Sequence, residues 1–250
     1  RGAMATLPTG VHKPRASRSA SHLLEPRRTE ARAAEDASTV YACGTNDHAA
    51  LCLPFQGHAP APTRLLALRS HFVRCAAAGC GWSACGTAGG AVLAWTDDTL
   101  PTPLDGTALS SCAALACGGR HAYLLSDEGA VYAWEYASAA PLPLLQRVSL
   151  PVDVSQLACG DAHVLALADG GIVFSWGRGL EGQLGRPPPL AQYEAQPRRL
   201  DDQLPPTAAT VVELSCGGGH TCLLTAGGEL FGCGPHALLA RPARTGAFGG

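Results

Sequence analysis

Three stretches of the chain align without a gap: LACGGRHAYLLSDEGAVYAW (115–134), LACGDAHVLALADGGIVFSW (157–176) and LSCGGGHTCLLTAGGELFGC (214–233). In each, a Cys-Gly pair is followed by His four residues after the Cys, by Gly eight residues after that His, and by Trp or Cys thirteen residues after it. The frame is Cys117, Gly118, His121, Gly129, Trp134, then Cys159, Gly160, His163, Gly171, Trp176, then Cys216, Gly217, His220, Gly228, Cys233. A repeat of this kind sets the architecture in which every other motif has to be read.

Working outward, AAAGCGWSACGTAGGAVLAW (76–95) fits the same frame as a degenerate copy, with Ala78 for the Cys, Trp82 for the His, and Gly79, Gly90 and Trp95 kept. A fragment, VYACG (40–44), matches only the tail of the unit. The copies begin at 76, 115, 157 and 214 and are thus 39, 42 and 57 residues apart, the spacing of blades rather than of short fibrous motifs. Each copy reads as a β-hairpin. Apolar runs such as 122–125 and 164–167 make one strand, Ser-Asp-Glu-Gly or Ala-Asp-Gly-Gly the turn, and Val-Tyr-Ala-Trp or Val-Phe-Ser-Trp the return strand. The preceding Leu-x-Cys-Gly is a third short strand, and the Pro-rich stretches between copies read as links in which no helix could persist. The expected fold is all-β, a propeller with about four to five blades present in an incomplete or divergent ring.

Composition agrees. With 46% hydrophobic and 15% charged residues the chain is too apolar for a disordered protein, and its 30 Gly and 19 Pro in 250 residues favour many turns and short strands. No run approaches the ~18 apolar residues of a membrane-spanning helix. Residues 1–38 carry seven basic and four acidic side chains, and the rest eleven basic and sixteen acidic ones. We expect a disordered basic arm over 1–38, the repeat body over 39–241 and a flexible tail over 242–250. The body, at −5, has no basic run longer than Arg198-Arg199, so direct nucleic-acid binding by it is not expected. Eleven cysteines are too sparse for a disulfide scaffold and favour a reducing compartment, cytoplasm or nucleus, with mitochondria as the alternative if the Arg- and Ser-containing arm acts as a presequence.

The pattern Leu-x-Cys-Gly-x-x-His, Gly-ended turn, Val-Tyr/Phe-x-Trp-Gly, then Gly-x-x-x-x-Gly-Gln-Leu-Gly resembles the regulator of chromosome condensation repeat family. The fullest match runs over 157–185 and ends in Gly182-Gln183-Leu184-Gly185, and the resemblance covers about 40–240. It implies a β-propeller, in this family usually of seven blades. Ala78 and Trp82 in the degenerate copy, and Cys43 and Cys233 in place of the blade Trp, depart from the pattern. A fragment of a longer protein, a small divergent ring, and an arc completed by a partner or second copy are the three alternatives this leaves open, the first being favoured.

Competing motifs are weak. The Cys-x-x-x-His pairs carry zinc-ligand chemistry, but on separate blades they are expected to lie far apart, with Cys as a small buried hydrophobe and His satisfied by backbone. The further cysteines Cys75, Cys80, Cys85 and Cys112 read as packing residues. Gly177-Arg-Gly-Leu-Glu-Gly182 matches a dinucleotide fingerprint in letters only, because no helix pattern follows it. Ser83 lacks the second Gly of a nucleophile elbow, and Asp97-Asp98, Asp127-Glu128 and Asp201-Asp202 read as solvated turn pairs. No catalytic residue, cofactor or metal is assigned. The expected function is a non-enzymatic interaction scaffold binding protein partners through loops on one rim, with Tyr193, Arg198 and Arg199 in the insert 187–210 as candidate contacts. The alternative, implied by the resemblance to a family founded on such a protein, is a guanine-nucleotide exchange factor for a small GTPase.

Overall fold

The computed structural model describes residues 39–46, 51–53, 57–96, 100–104, 111–135, 145–186, 192–206 and 208–235. The expected arm at 1–38 and tail at 242–250 lie outside these residues. Among the described residues seventeen strands form five antiparallel sheets. The first holds β1 (Tyr41–Thr45) and β2 (His58–Arg64), so VYACG is the tail of a blade, as its match to the repeat implies. The second holds β3 (Val73–Ala78), β4 (Trp82–Thr87), β5 (Val92–Thr96) and β6 (Thr102–Pro103). The third holds β7 (Ala114–Cys117), β8 (His121–Leu125), β9 (Val131–Glu135) and β10 (Gln146–Arg147). The fourth holds β11 (Val154–Cys159), β12 (His163–Ala168), β13 (Val173–Arg178) and β14 (Tyr193–Arg199). The fifth holds β15 (Val211–Cys216), β16 (Thr221–Thr225) and β17 (Leu230–Cys233). Among the described residues there is no α-helix, and no helix is long and apolar enough to cross a membrane.

In the four sheets after the first, the first strand lies inward, and β3, β7, β11 and β15 neighbour one another in that order. Cores form between blades. On β8, Ala122 and Leu124 join Trp82, Val92 and Trp134, whereas Tyr123 and Leu125 join Val164, Phe174 and Trp176. On β12, Val164 and Ala166 face back while Leu165 and Leu167 face forward to Leu214, Leu223 and Phe231. Successive side chains of a strand point to opposite faces, and both faces are covered, which is why these runs are continuously apolar rather than alternating. A fully buried side chain such as Leu165 contributes about 2 kcal/mol by burial alone.

The Pro-containing links differ from the expectation. In three blades they supply a fourth strand, and the insert 187–210 contains β14, so Tyr193, Arg198 and Arg199 stand on a strand and not on a loop. The reason is the free outer edge of β5, β9 and β13, whose backbone groups need partners; two-residue strands satisfy it in β6 and β10. Bulges recur in phase too, with the register of the inner strand slipping at Arg74, Ser155 and Val212.

Candidate functional site

The Cys-Gly turns end the inner strands, and all four described turns meet on the axis. Ala78 to Cys80, Cys117 to Gly119, Cys159 to Asp161 and Cys216 to Gly218 line one cavity of about 200 Å3. This corrects the expectation that the repeat cysteines lie far apart. Among the described residues, however, no three His, Cys, Asp or Glu side chains are grouped so as to hold a metal ion. What joins the turns is backbone. The Gly119 N–H donates to the Asp161 carbonyl at 2.9 Å, and the Asp161 N–H donates to the Gly218 carbonyl at 2.9 Å.

At Gly79 and Gly160 the turn glycine is required by two neighbours at once, and at Gly118 and Gly217 by one. A Cβ on Gly79, Gly160 or Gly217 would strike the ring of Trp82, His163 or His220 within its own turn. On the other side, the next blade's glycine carbonyl stands 2.6 Å from a Cβ placed on Gly79 (Gly118) or on Gly160 (Gly217). Gly118 abuts the Gly160 carbonyl in the same way. The glycines thus form a staircase around the axis, each admitting the next backbone.

Rings continue the joint outward. Trp82, in the His position of the degenerate copy, donates from Nε1 to the Gly119 carbonyl of the next blade at 3.1 Å and packs edge-on to Trp134 at 6.1 Å between centroids. His163 Nε2 lies 3.0 Å from Thr221 Oγ1, whose hydroxyl donates to the Gln183 carbonyl at 2.9 Å. A hydroxyl has one proton, so His163 donates from Nε2. Its Nδ1 is buried without a partner, and burial holds the imidazole down at about 4. Trp176 donates from Nε1 to the Tyr123 hydroxyl at 3.2 Å, ring edge to ring face. His220 is half-buried, also with an unpartnered Nδ1.

At the opposite ends of the hairpins, Gly129, Gly171 and Gly228 close the turns at φ of 81°, 80° and 80°. Sequence reading missed the partner of this glycine. Thr87, Ser126 and Thr225, three residues before Gly90, Gly129 and Gly228, are buried hydroxyls that accept from the backbone N–H of Ala91, Ala130 and Glu229 at 3.1, 3.2 and 3.1 Å. The signal is in the sequence, since a hydroxyl recurs at that position in three of the four turns.

The candidate partner contacts separate along β14. Tyr193 begins the strand opposite Arg178, is 44% exposed, and its ring lies 6.4 Å from that of His121 on the neighbouring blade. Partial burial, with Glu135 adding to it, raises its phenol above the ordinary value. Leu180, 42% exposed, and the Arg178–Glu181 ion pair at 3.0 Å follow directly on β13. Arg198 and Arg199 stand at the far end. Arg198 reaches back 2.8 Å to Glu194, and Arg199 reaches Asp201, whose carboxylate accepts from the Val173 N–H at 3.1 Å. Glu194 also pairs with the buried Arg186, which donates to the Ser175 hydroxyl at 2.6 Å and carbonyl at 3.0 Å. Burial opposes the Glu194 charge, but the two guanidinium groups outweigh it and leave the carboxyl below its usual range.

Models of the regulator of chromosome condensation (RCC1) repeat match residues 170–224 and 154–183. No curated protein sequence matches the chain significantly. Among solved structures, human WBSCR16 is similar at a TM-score of 0.67 and 19% identity over 83% of this chain and 60% of that one. Prp20p of Saccharomyces cerevisiae is similar at 0.65 and 22%, over 82% of this chain and 57% of that one. The chain therefore spans about 60% of the length of these proteins, and the likeness concerns the fold. Repeat matches over 154–224 and blade-by-blade recurrence of the Cys-Gly-x-x-His turn coincide: the chain carries regulator of chromosome condensation repeats, set in a propeller fold.

Proposed function

We propose that this chain is a non-enzymatic protein-interaction scaffold whose contact surface is the rim at the start of β14. The observation that carries this reading is the exposed cluster of Tyr193, Leu180 and Arg178 beside His121, set on the ends of hydrogen-bonded strands. An aromatic ring, an aliphatic group and a guanidinium on a rigid frame lose little entropy on binding, the chemistry of an interface anchor. Arg198 and Arg199 are secondary contacts, since each is tied to a carboxylate and lies at the other end of the strand. The cytoplasm or nucleus is the compartment this role suits.

The second reading, guanine-nucleotide exchange on a small GTPase, is supported by the similarity to Prp20p, whose structure was described together with its binding to Gsp1p and histones. One experiment separates the two. The chain and its Tyr193→Ala variant serve as bait in a lysate, once with magnesium and GTP and once with EDTA. Partners retained by the parent in both buffers and lost by Tyr193→Ala support the scaffold. A small GTPase retained only in EDTA supports exchange. Identical capture by parent and variant overturns the assignment of this rim.

A further inference from the structure

The second and third blades depart from the repeat at three positions, and the three meet at one point. Four residues past the His position, the other hairpins carry Leu125, Leu167 and Leu224, whereas the second blade has Gly86. Three residues before the Cys position, β11 carries Gln156, which bonds both backbone groups of Leu214 on the next blade, whereas β3 has Cys75. Five residues before the Cys position, the other blades carry Val73, Val154 and Val211, whereas the third has Cys112.

Cys75 and Gly86 are cross-strand partners. A Cβ on Gly86 would strike Cys112 Sγ and come to 2.8 Å from Cys75 Sγ, so the sulfurs fill the volume that a leucine takes elsewhere. The two sulfurs are 3.2 Å apart across the blade boundary, and both thiols are free. Cys112 is wholly buried, while Cys75 is half-buried. Arg74, paired at 2.8 Å with Asp127 of the third blade, lies beside them. The hydrogen bond from Cys112 favours the Cys75 thiolate; burial opposes it, and the Gly86 backbone and Arg74 reinforce it, leaving Cys75 below the ordinary thiol value.

We infer that Cys75 and Cys112 are a peroxide-responsive dithiol that closes to a disulfide between the second and third blades. The Cys75 thiolate attacks one oxygen of hydrogen peroxide, the O–O bond breaks, and the departing hydroxide takes up a proton as water, leaving Cys75 as a sulfenic acid. Cys112 Sγ then attacks that sulfur, the S–O bond breaks, and the hydroxide leaves with the Cys112 proton as a second water. Two thiols are oxidised and one peroxide is reduced. The bond would tie together two sheets otherwise joined by the core around Trp82 and Trp134, and would restrict the unfolded chain as well.

The test uses the full chain. After brief peroxide treatment and alkylation, the protein should carry two fewer alkyl groups than the eleven of the reduced form, and dithiothreitol should restore them. Because trypsin leaves both cysteines in one peptide, chymotryptic cleavage after Trp95 is added, and a linked peptide pair containing Cys75 and Cys112 is expected. In Cys112→Ser, which cannot close the bond, dimedone should trap Cys75 as its sulfenic acid adduct. The oxidised parent should unfold several degrees above the reduced one, and Cys75→Ser should lose that difference. Full alkylation of Cys75 and Cys112 after peroxide treatment that oxidises the exposed Cys80, or a bond joining other cysteines, overturns the inference.

Discussion

The imidazole of His163 occupies the space into which a Cβ on Gly160 would project, and the Gly217 carbonyl of the next blade closes that space from the other side at 2.6 Å. The three-residue spacing from Gly to His in the repeat is therefore a packing requirement. Gly160→Ala should lose about 3 kcal/mol, the cost of overpacking a site walled by backbone. Gly89→Ala, where nothing lies within 4 Å and φ is unstrained, should change stability by no more than ~0.5 kcal/mol. Urea denaturation of both variants checks the contrast, and equal effects would sink the packing account.

Stability should fall in acid through His163. Unfolded, an imidazole takes up its proton near 6.5; in the folded chain burial lowers this to about 4. The group's contribution is complete above pH 6.5 and is lost as pH falls through 4, at most about 3 kcal/mol in all. Melting temperature followed from pH 7 to 4 should decline less steeply in His163→Gln, which can still donate to Thr221 and has no proton to gain. A parallel decline in parent and variant would assign the acid sensitivity elsewhere.

Arg186 and Arg198 share Glu194 but not its environment. The side chain of Arg186 is 7% exposed and that of Arg198 65%. Removing the buried partner leaves the largely buried carboxylate paired only with the exposed Arg198, so Arg186→Ala should cost about 3 kcal/mol. Arg198→Ala should cost ~0–1 kcal/mol. Chemical denaturation measures both, and a larger loss in Arg198→Ala would contradict this arrangement.

The turn hydroxyl at Thr225 should be replaceable by Ser and not by Ala. Thr225→Ala removes the acceptor of the Glu229 N–H and should cost about 1 kcal/mol, whereas Thr225→Ser keeps it. Hydrogen exchange at Glu229 reads the bond directly: faster exchange is expected in the Ala variant and little change in the Ser one.

The sequence by itself determined the hairpins, because their causes are local. Gly160 must lie under the ring three residues on, Gly129 must turn with positive φ, and the run Val164 to Leu167 must bury both faces, so each leaves a residue type at a constant spacing. The fourth strands leave no such trace. β6 and β10 have two residues each and β14 contains Pro197, so periodicity cannot reveal them; they form because an inner neighbour offers unpaired backbone. That Tyr193 reaches His121 while Arg198 and Arg199 stand at the other end of the same strand follows from pairing with β13, which only the tertiary structure sets. The meeting of the Cys-Gly turns around one cavity, and of Cys75, Gly86 and Cys112 at one blade boundary, likewise depends on how successive sheets are packed. Contacts within one hairpin are encoded by spacing along the chain, whereas contacts between blades are created by the angle and offset at which whole sheets stack.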